Sequence, residues 1–207
     1  MEKSVSEAIN YRRSVRKFDP SKEINADIVK KCIENGVLAP NSSNLQLWEF
    51  YHITNQELLR KISKTCFNQS AASTAKQIVI TVVRKDLWKL RANKNIDFIH
   101  LKKKNLSTKQ YDLTQKYYKR VIPFVYKDFL GILGFFKYII SYIFGFFRVM
   151  YRQLRTTDTR IIAHKSAALA SQNFMISMAG FGYDTCPMEG FDSVRLKALL
   201  KLPKKAE

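Results

Sequence analysis

Gln77-Ile78-Val79-Ile80-Thr81-Val82-Val83 is the stretch that indicates the fold most directly. Its residues are mostly β-branched, and its length suits a single strand. Apolar residues occupy both alternating sets of positions, which is typical of a strand that is covered on both faces. We therefore expect a central strand in a sheet that is flanked by helices.

Helical signals lie on both sides of this strand. Ser4 and Glu7 form a capping box that predicts a helix ending near Tyr11, and Asn25 and Asp192 are placed to cap two others. The remaining predicted elements are strands at 48–54 and 183–186 and helices at 56–64, 159–180 and 193–202. These elements predict a sheet that is covered by helices.

Composition restricts the function classes. The chain has 207 residues, which suits a single domain, and 36 Lys and Arg against 17 Asp and Glu, a net charge of +19. Such a charge favours anionic partners, namely phosphate-bearing ligands, anionic lipid or nucleic acid. Nucleic acid is the weakest of these because no recognised nucleic-acid motif is present.

Cysteines and histidines indicate neither a disulfide framework nor a metal site. Cys32, Cys66 and Cys186 are widely spaced and form no C-x-x-C pair, so we expect free thiols in a reducing cytosol. The three histidines lack ligand spacing. The first residues carry no apolar signal region, and we expect a cytoplasmic protein.

A first short segment, Arg12-Arg13-Ser14-Val15-Arg16, concentrates guanidinium groups after a helix end. Arginine binds phosphate through a planar fork of donors. In an extended backbone, positions 12, 14 and 16 face the same way, which suits a terminal phosphate. The alternative for this segment alone is a solvated basic surface.

Two further segments are rich in ligand-binding groups. Pro40-Asn41-Ser42-Ser43-Asn44-Leu45-Gln46-Leu47-Trp48 offers amides and hydroxyls that can bond a heterocycle. Pro187-Met188-Glu189-Gly190-Phe191 precedes a helix, and its glycine allows close backbone approach to a ligand. Ordinary turns are the alternative for each segment taken alone.

In this order, the three segments resemble the FMN-binding segments of the nitroreductase family. The resemblance implies a homodimeric α+β enzyme whose bound FMN takes hydride from NAD(P)H. It implies ping-pong transfer to a nitroaromatic, quinone or similar conjugated acceptor. No catalytic side chain and no metal is expected, because the flavin carries the chemistry.

The resemblance also implies a set of cofactor-binding residues. Those at the FMN phosphate and ribityl end are Arg12, Arg13, Ser14 and Arg16; those reaching the partner subunit's flavin are Asn41, Ser42, Asn44 and Gln46; those near the flavin ring are Asn68, Gln69, Pro187, Met188, Glu189 and Gly190. Relatives usually continue past the last helix with a further strand, which this sequence is expected to lack.

The middle of the chain is expected to be a helical insertion, residues 93–157, within a single domain of residues 1–207. Inside it, residues 129–151 are almost wholly apolar and are flanked by basic residues. A membrane span is disfavoured, since Lys137 lies near its centre and one crossing would separate the FMN-binding segments. A lid, a dimer contact and a peripheral contact with anionic membrane stay open.

Two rival functions remain on sequence grounds. A degenerate, non-catalytic flavin-fold protein is one, motivated by the expected lack of the last strand. A basic membrane-surface module is the other, motivated by the net charge and by the apolar residues 129–151.

Overall fold

The structure, a computed structural model, describes residues 2–129 and 131–207. Its strands are β1 (Trp48–Ile53) and β2 (Ile78–Val83), and its helices are α1 (Val5–Tyr11), α2 (Ala26–Val37), α3 (Gln56–Thr65), α4 (Ser70–Thr74), α5 (Trp88–Leu101), α6 (Thr108–Lys116), α7 (Ile122–Tyr126), α8 (Ile132–Phe144), α9 (Thr156–Gly180) and α10 (Ser193–Leu199). Short 3₁₀ turns cover Ser42–Asn44, Lys85–Leu87 and Lys103–Asn105, and a π-helical turn covers Tyr117–Val121.

These elements confirm the predicted α+β class. β1 and β2 pair antiparallel, from Trp48 opposite Val83 to Ile53 opposite Ile78. The first two predicted helix starts are also confirmed. The Ser4 hydroxyl and the Glu7 carboxylate each accept a backbone N–H of the other residue, at 3.4 and 2.8 Å.

The predicted ends of several elements need correction. α9 begins at Thr156 and not at residue 159, and α10 ends at Leu199 and not at residue 202. The predicted strand at 183–186 contributes an isolated parallel bridge between Thr185 and Ser14. A bridge of this kind depends on a partner far away in the sequence, which a local pattern does not specify.

Within the described structure, β2 forms backbone hydrogen bonds along both of its edges only at its last residue. Besides its pairing with β1, Val83 exchanges two backbone hydrogen bonds with Glu207, at 2.6 and 3.0 Å. The neighbouring Ala206 is fully buried. We predicted a central position for the whole strand. Among the described residues, only Val83 of β2 has backbone partners on both sides.

The chain divides into two compact units. The first comprises the residues up to Pro40, Trp48–Val83 and Ala167–Glu207; the second comprises Asn41–Leu47 and Arg84–Ser166. The insertion predicted at residues 93–157 falls inside the second unit, and its exact boundaries stay a prediction.

Two apolar clusters form the core of the first unit. One combines residues from β1, α3, α4 and α10, and the other joins α2 to α9; their buried members are Ile53, Leu59, Ile62, Cys66, Ala72 and Leu196, and Val29, Cys32 and Met178. All three cysteines are free thiols, as predicted. Burial raises the pKa of Cys32 and of Cys66, which disfavours the reactive thiolate.

The second unit has its own buried apolar residues. Ile122 and Leu154 are almost inaccessible to solvent, and the buried ring of Tyr126 stacks on Trp88 with 5.9 Å between ring centroids. None of the helices described for residues 2–129 and 131–207 combines the length and the apolar character needed to cross a membrane. The same residues contain no cluster of side chains that could hold a metal ion.

The burial of Tyr126 predicts an alkaline loss of stability. Burial raises the pKa of Tyr126 from 10.0 to about 12, so the unfolded chain loses this proton first as the pH rises. Stability from the neutral phenol is complete below pH 10 and is lost between pH 10 and about 12. From pH 9 to pH 11, the free energy of unfolding should fall by about 1 kcal/mol more in the wild type than in Tyr126→Phe.

Urea unfolding at the two pH values measures this difference. Tyr142→Phe is the matched control, because that ring is exposed. The expectation is wrong if both variants show the same pH dependence as the wild type.

Candidate active site

The basic segment after α1 pairs with a part of the chain that is distant in sequence. Arg12 leaves the helix with φ −55° and ψ 120°. Ser14 pairs with Thr185, and the Val15 N–H donates to the Thr185 carbonyl at 3.2 Å. A residue near the end of the chain therefore lies beside the arginine-rich segment, within the first unit.

Several polar groups in this part of the first unit have no acidic or hydroxyl partner among the described residues. Among residues 2–129 and 131–207, no carboxylate forms an ion pair with Arg12, Arg13 or Arg16. The Arg13 guanidinium donates to the Arg12 carbonyl at 2.8 Å, and the side chains of Arg13 and Arg16 are exposed. The buried hydroxyl of Thr185, beside Ser14, has no hydrogen-bond partner.

These groups fit the phosphate end of FMN. Guanidinium forks and hydroxyls are the donors that a phosphate accepts from proteins. Thr185 was not among the predicted site residues, and its unpartnered buried oxygen is the kind of atom that a ligand satisfies. The sequence contained no signal for this role beyond the short strand predicted at 183–186.

A second group of predicted residues meets around the turn after α3. Phe67 and Asn68 both have left-handed backbones, with φ of 56° and 51°. The Gln69 side-chain amide donates to the Gly190 carbonyl at 2.7 Å. A Cβ atom on Gly190 would lie 3.2 Å from this amide, so the glycine permits the close approach.

The rest of residues 187–190 divides between core and solvent. The half-buried Met188 packs against the first apolar cluster, while Pro187 and Glu189 are exposed. Asp192 caps α10 and anchors the segment, because its backbone N–H donates to the Thr65 carbonyl at 2.8 Å. Exposed backbone held by fixed neighbours is suited to bonding the edge of a planar ligand.

The polar loop before β1 belongs to the second unit and is held by side chains of that unit. Tyr118 donates its hydroxyl to the Ser43 carbonyl at 2.9 Å, and the Asn95 amide donates to the Asn44 carbonyl at 2.9 Å. The Ser43 and Tyr117 hydroxyls are 2.6 Å apart. These holding residues were not predicted, because each is distant from the loop in sequence.

The loop has a strained backbone and two outward-facing side chains. Ser43, Asn44 and Gln46 have φ of 58°, 48° and 46°, which is unusual for residues other than glycine. Asn41 accepts the Gln46 N–H at 2.8 Å, so this amide stabilises the loop itself. Ser42 and Asn44 are exposed and available to a ligand. Strain held in place by surrounding groups is characteristic of binding loops.

The predicted residues thus form separate groups in the described structure. Residues 12–16 lie beside Thr185, and Gln69 contacts Gly190, all in the first unit. Asn41, Ser42, Asn44 and Gln46 lie in the second unit. The contact of each residue with FMN stays a prediction.

Comparison with known proteins adds an independent finding. A family model described as "Nitroreductase family" matches residues 9–207. Protein DrgA of Synechocystis sp. is 28% identical over 200 residues, which are 95% of this chain and 76% of that protein.

Solved structures are also similar to this chain. A structure from Exiguobacterium sibiricum in complex with FMN is 19% identical, with a TM-score of 0.65 over 99% of this chain and 83% of that chain. The NADPH:FMN oxidoreductase of Vibrio harveyi, complexed with NAD+, is 18% identical, with a TM-score of 0.61 over 98% of this chain and 64% of that chain. At these identities, the likeness establishes the fold.

The hydrogen bonds to the polar loop predict its local stability. Tyr118→Phe removes the donor to the Ser43 carbonyl and should destabilise the loop by about 1 kcal/mol. Hydrogen exchange at residues 41–46 should then become roughly fivefold faster. Mass spectrometry of peptides from this loop measures the change.

Tyr111→Phe is the matched control, since the Tyr111 hydroxyl bonds His100 and does not reach the loop. Equal exchange in the wild type and Tyr118→Phe would show that the tyrosine does not hold the loop.

Proposed function

Because this chain belongs to the nitroreductase family, we propose that it is an FMN-dependent oxidoreductase that uses NAD(P)H to reduce a nitroaromatic, quinone or similar conjugated acceptor. Family membership confirms the resemblance on which the enzyme and cofactor predictions depend. The FMN complex of the Exiguobacterium protein and the NADPH:FMN oxidoreductase activity named for the Vibrio protein support the same cofactors.

The observation that carries the proposal is the group of unpaired donors after α1. FMN has a dianionic phosphate, and Arg12 and Arg16 supply cationic forks that no carboxylate of the described residues neutralises. The Ser14 and Thr185 hydroxyls add donors beside them. Four such groups on two neighbouring segments would bind the phosphate and orient the rest of the molecule.

Residues around the Gln69–Gly190 contact would then position the ring. The hydrogen bond from the Gln69 amide to the Gly190 carbonyl fixes residues 187–190 against the turn after α3. Backbone N–H groups of this segment would bond the flavin edge and influence its redox behaviour. The bound flavin supplies the hydride chemistry itself, so no general acid or base is required of the chain.

The proposed assembly is a homodimer in which the polar loop serves the partner's cofactor. The exposed side chains of Ser42 and Asn44, on a loop held by Tyr118 and Asn95, support a binding role. The dimer itself follows from the family resemblance.

A degenerate flavin-fold protein is the alternative. It shares the fold and the family, and it differs in one measurable property, since it retains no FMN. Binding of the intact cofactor therefore separates the two proposals before any acceptor is identified.

The phosphate assignment predicts selectivity for FMN over riboflavin. Arg16→Ala should weaken FMN binding about 10- to 100-fold, the size expected for a charge-assisted hydrogen bond. Riboflavin binding should stay unchanged, because riboflavin has no phosphate. Titration of both flavins, followed by quenching of flavin fluorescence, measures the two dissociation constants.

Arg60→Ala is the control in the same unit. Arg60 lies on α3 and is exposed, and among the described groups its guanidinium bonds only the Gln56 carbonyl. A loss of affinity in Arg16→Ala that is equal for FMN and riboflavin would contradict a phosphate contact.

The reductive half-reaction predicts a second result. The protein loaded with FMN should lose its oxidised flavin absorbance when NADH or NADPH is added without oxygen, and a quinone should restore it. Stopped-flow absorbance gives the rate with each nucleotide. A flavin that stays bound and oxidised with both nucleotides would contradict the proposed reaction with NAD(P)H.

A further inference from the structure

α8 has its polarity reversed relative to an ordinary surface helix. Its inward face consists of small or polar residues, with Gly134 and Ser141 buried and Lys137 and Tyr138 half-buried. Its exposed positions are large and apolar: Ile132, Leu133, Phe135, Phe136, Ile139, Ile140, Tyr142, Ile143 and Phe144. A helix normally buries its apolar stripe and exposes its charges, so this arrangement requires an apolar environment outside the second unit.

The single charge on α8 is withdrawn from that outer face. The Lys137 ammonium donates to the carbonyls of Phe124 and Lys127 at 2.6 and 2.5 Å. Burial lowers the pKa of Lys137, and the facing groups Asp128 and Lys127 act in opposite directions on it. Lys137 therefore serves as an internal link and leaves the outer surface of the helix uncharged.

The turn after α8 continues the apolar surface. Phe146 and Phe147 are 84% and 85% exposed, and Val149 is fully exposed. Isolated exposed apolar residues are common, whereas a contiguous group of this size marks an interaction surface. We call α8 together with residues 145–149 the apolar face.

Cationic groups lie within and beside the apolar face. Arg148 and Arg152 lie over the exposed rings of Phe144 and Tyr142, with 5.3 and 4.8 Å from guanidinium to ring centroid, and no carboxylate of the described residues pairs with them. Arg155 lies 4.7 Å from the ring centroid of the half-buried Tyr138 and pairs with Asp158 at 3.2 Å. Between residues 113 and 157 the sequence has a single acidic residue, Asp128, which bonds to Thr156 and to the Gly134 N–H. Arginine beside exposed aromatic rings is the composition of a surface that meets anionic headgroups and acyl chains together.

We infer that the apolar face inserts into the interfacial layer of an anionic lipid membrane. The 13 residues of α8 extend only about 20 Å, against roughly 30 Å for a hydrocarbon core, so the helix would lie in the interface. A second copy of the chain fits this surface less well, because facing copies would bring their arginines together. The inference is independent of FMN binding.

Vesicle flotation of the full-length protein tests the inference. The wild type should float with an equal mixture of phosphatidylcholine and phosphatidylglycerol, and more weakly with phosphatidylcholine alone. The double variant Phe146→Ser/Phe147→Ser should lower the partition coefficient at least roughly tenfold. Arg148→Gln should lower it about fivefold on the anionic vesicles and leave it unchanged on the neutral ones.

Phe98→Ser/Leu101→Ser is the matched control, since it removes two exposed apolar side chains from another helix of the same unit. Wild-type flotation in this control would support the inference, and an equal loss would overturn it. Light scattering after size-exclusion chromatography measures whether a second copy of the chain binds the apolar face instead. If the wild type fails to float and Phe146→Ser/Phe147→Ser converts a dimer to a monomer, the apolar face binds a second copy and the inference is wrong.

Discussion

A ladder of two six-residue strands is too small to be stable alone in water, so β1 and β2 depend on the helices packed against them. In the first unit, Phe50 of β1 packs on Phe174 of α9 with 6.5 Å between ring centroids. Thr81 of β2 shares a hydrogen bond with Ser171 of the same helix at 2.9 Å. The same helix also packs closely against α2, since a Cβ atom on Gly36 of α2 would lie 3.0 Å from the Ala170 carbonyl. α9 thus contacts both the sheet and α2.

The helices and strands around this ladder also determine where the candidate site can form. The Ser14–Thr185 bridge and the Gln69–Gly190 hydrogen bond both join segments that are distant in sequence. Ser14 and Gln69 follow α1 and α3, and their partners Thr185 and Gly190 lie between α9 and α10. Loops held in this way are suited to ligand binding, since a rigid scaffold positions them.

The sequence predicted those features that depend on near neighbours. The caps at Ser4, Asn25 and Asp192 and the strand ending at Val83 follow from interactions within a few residues. Thr185 escaped prediction because its position beside Ser14 depends on pairing across most of the chain.

Long-range contacts also decide what hydropathy left open in residues 129–151. Hydropathy indicated an apolar helix there, but not which side of it faces the protein. In the sequence, Lys137 argued against a membrane span and left a peripheral contact open. The Lys137 ammonium bonds the carbonyls of Phe124 and Lys127, and only the folded backbone brings these groups together. The left-handed conformations of Ser43 and Asn44 have the same origin, because Tyr118 and Asn95 bond the carbonyls of these two residues.

The unequal accessibility of the three thiols has a practical consequence. Cys32 and Cys66 are buried, whereas Cys186 is half-buried and directly precedes Pro187. A thiol-reactive fluorophore added to the folded protein will therefore attach preferentially at residue 186, without any engineered cysteine. The native chain thus contains its own attachment point for a spectroscopic reporter, next to the segment proposed to contact the flavin.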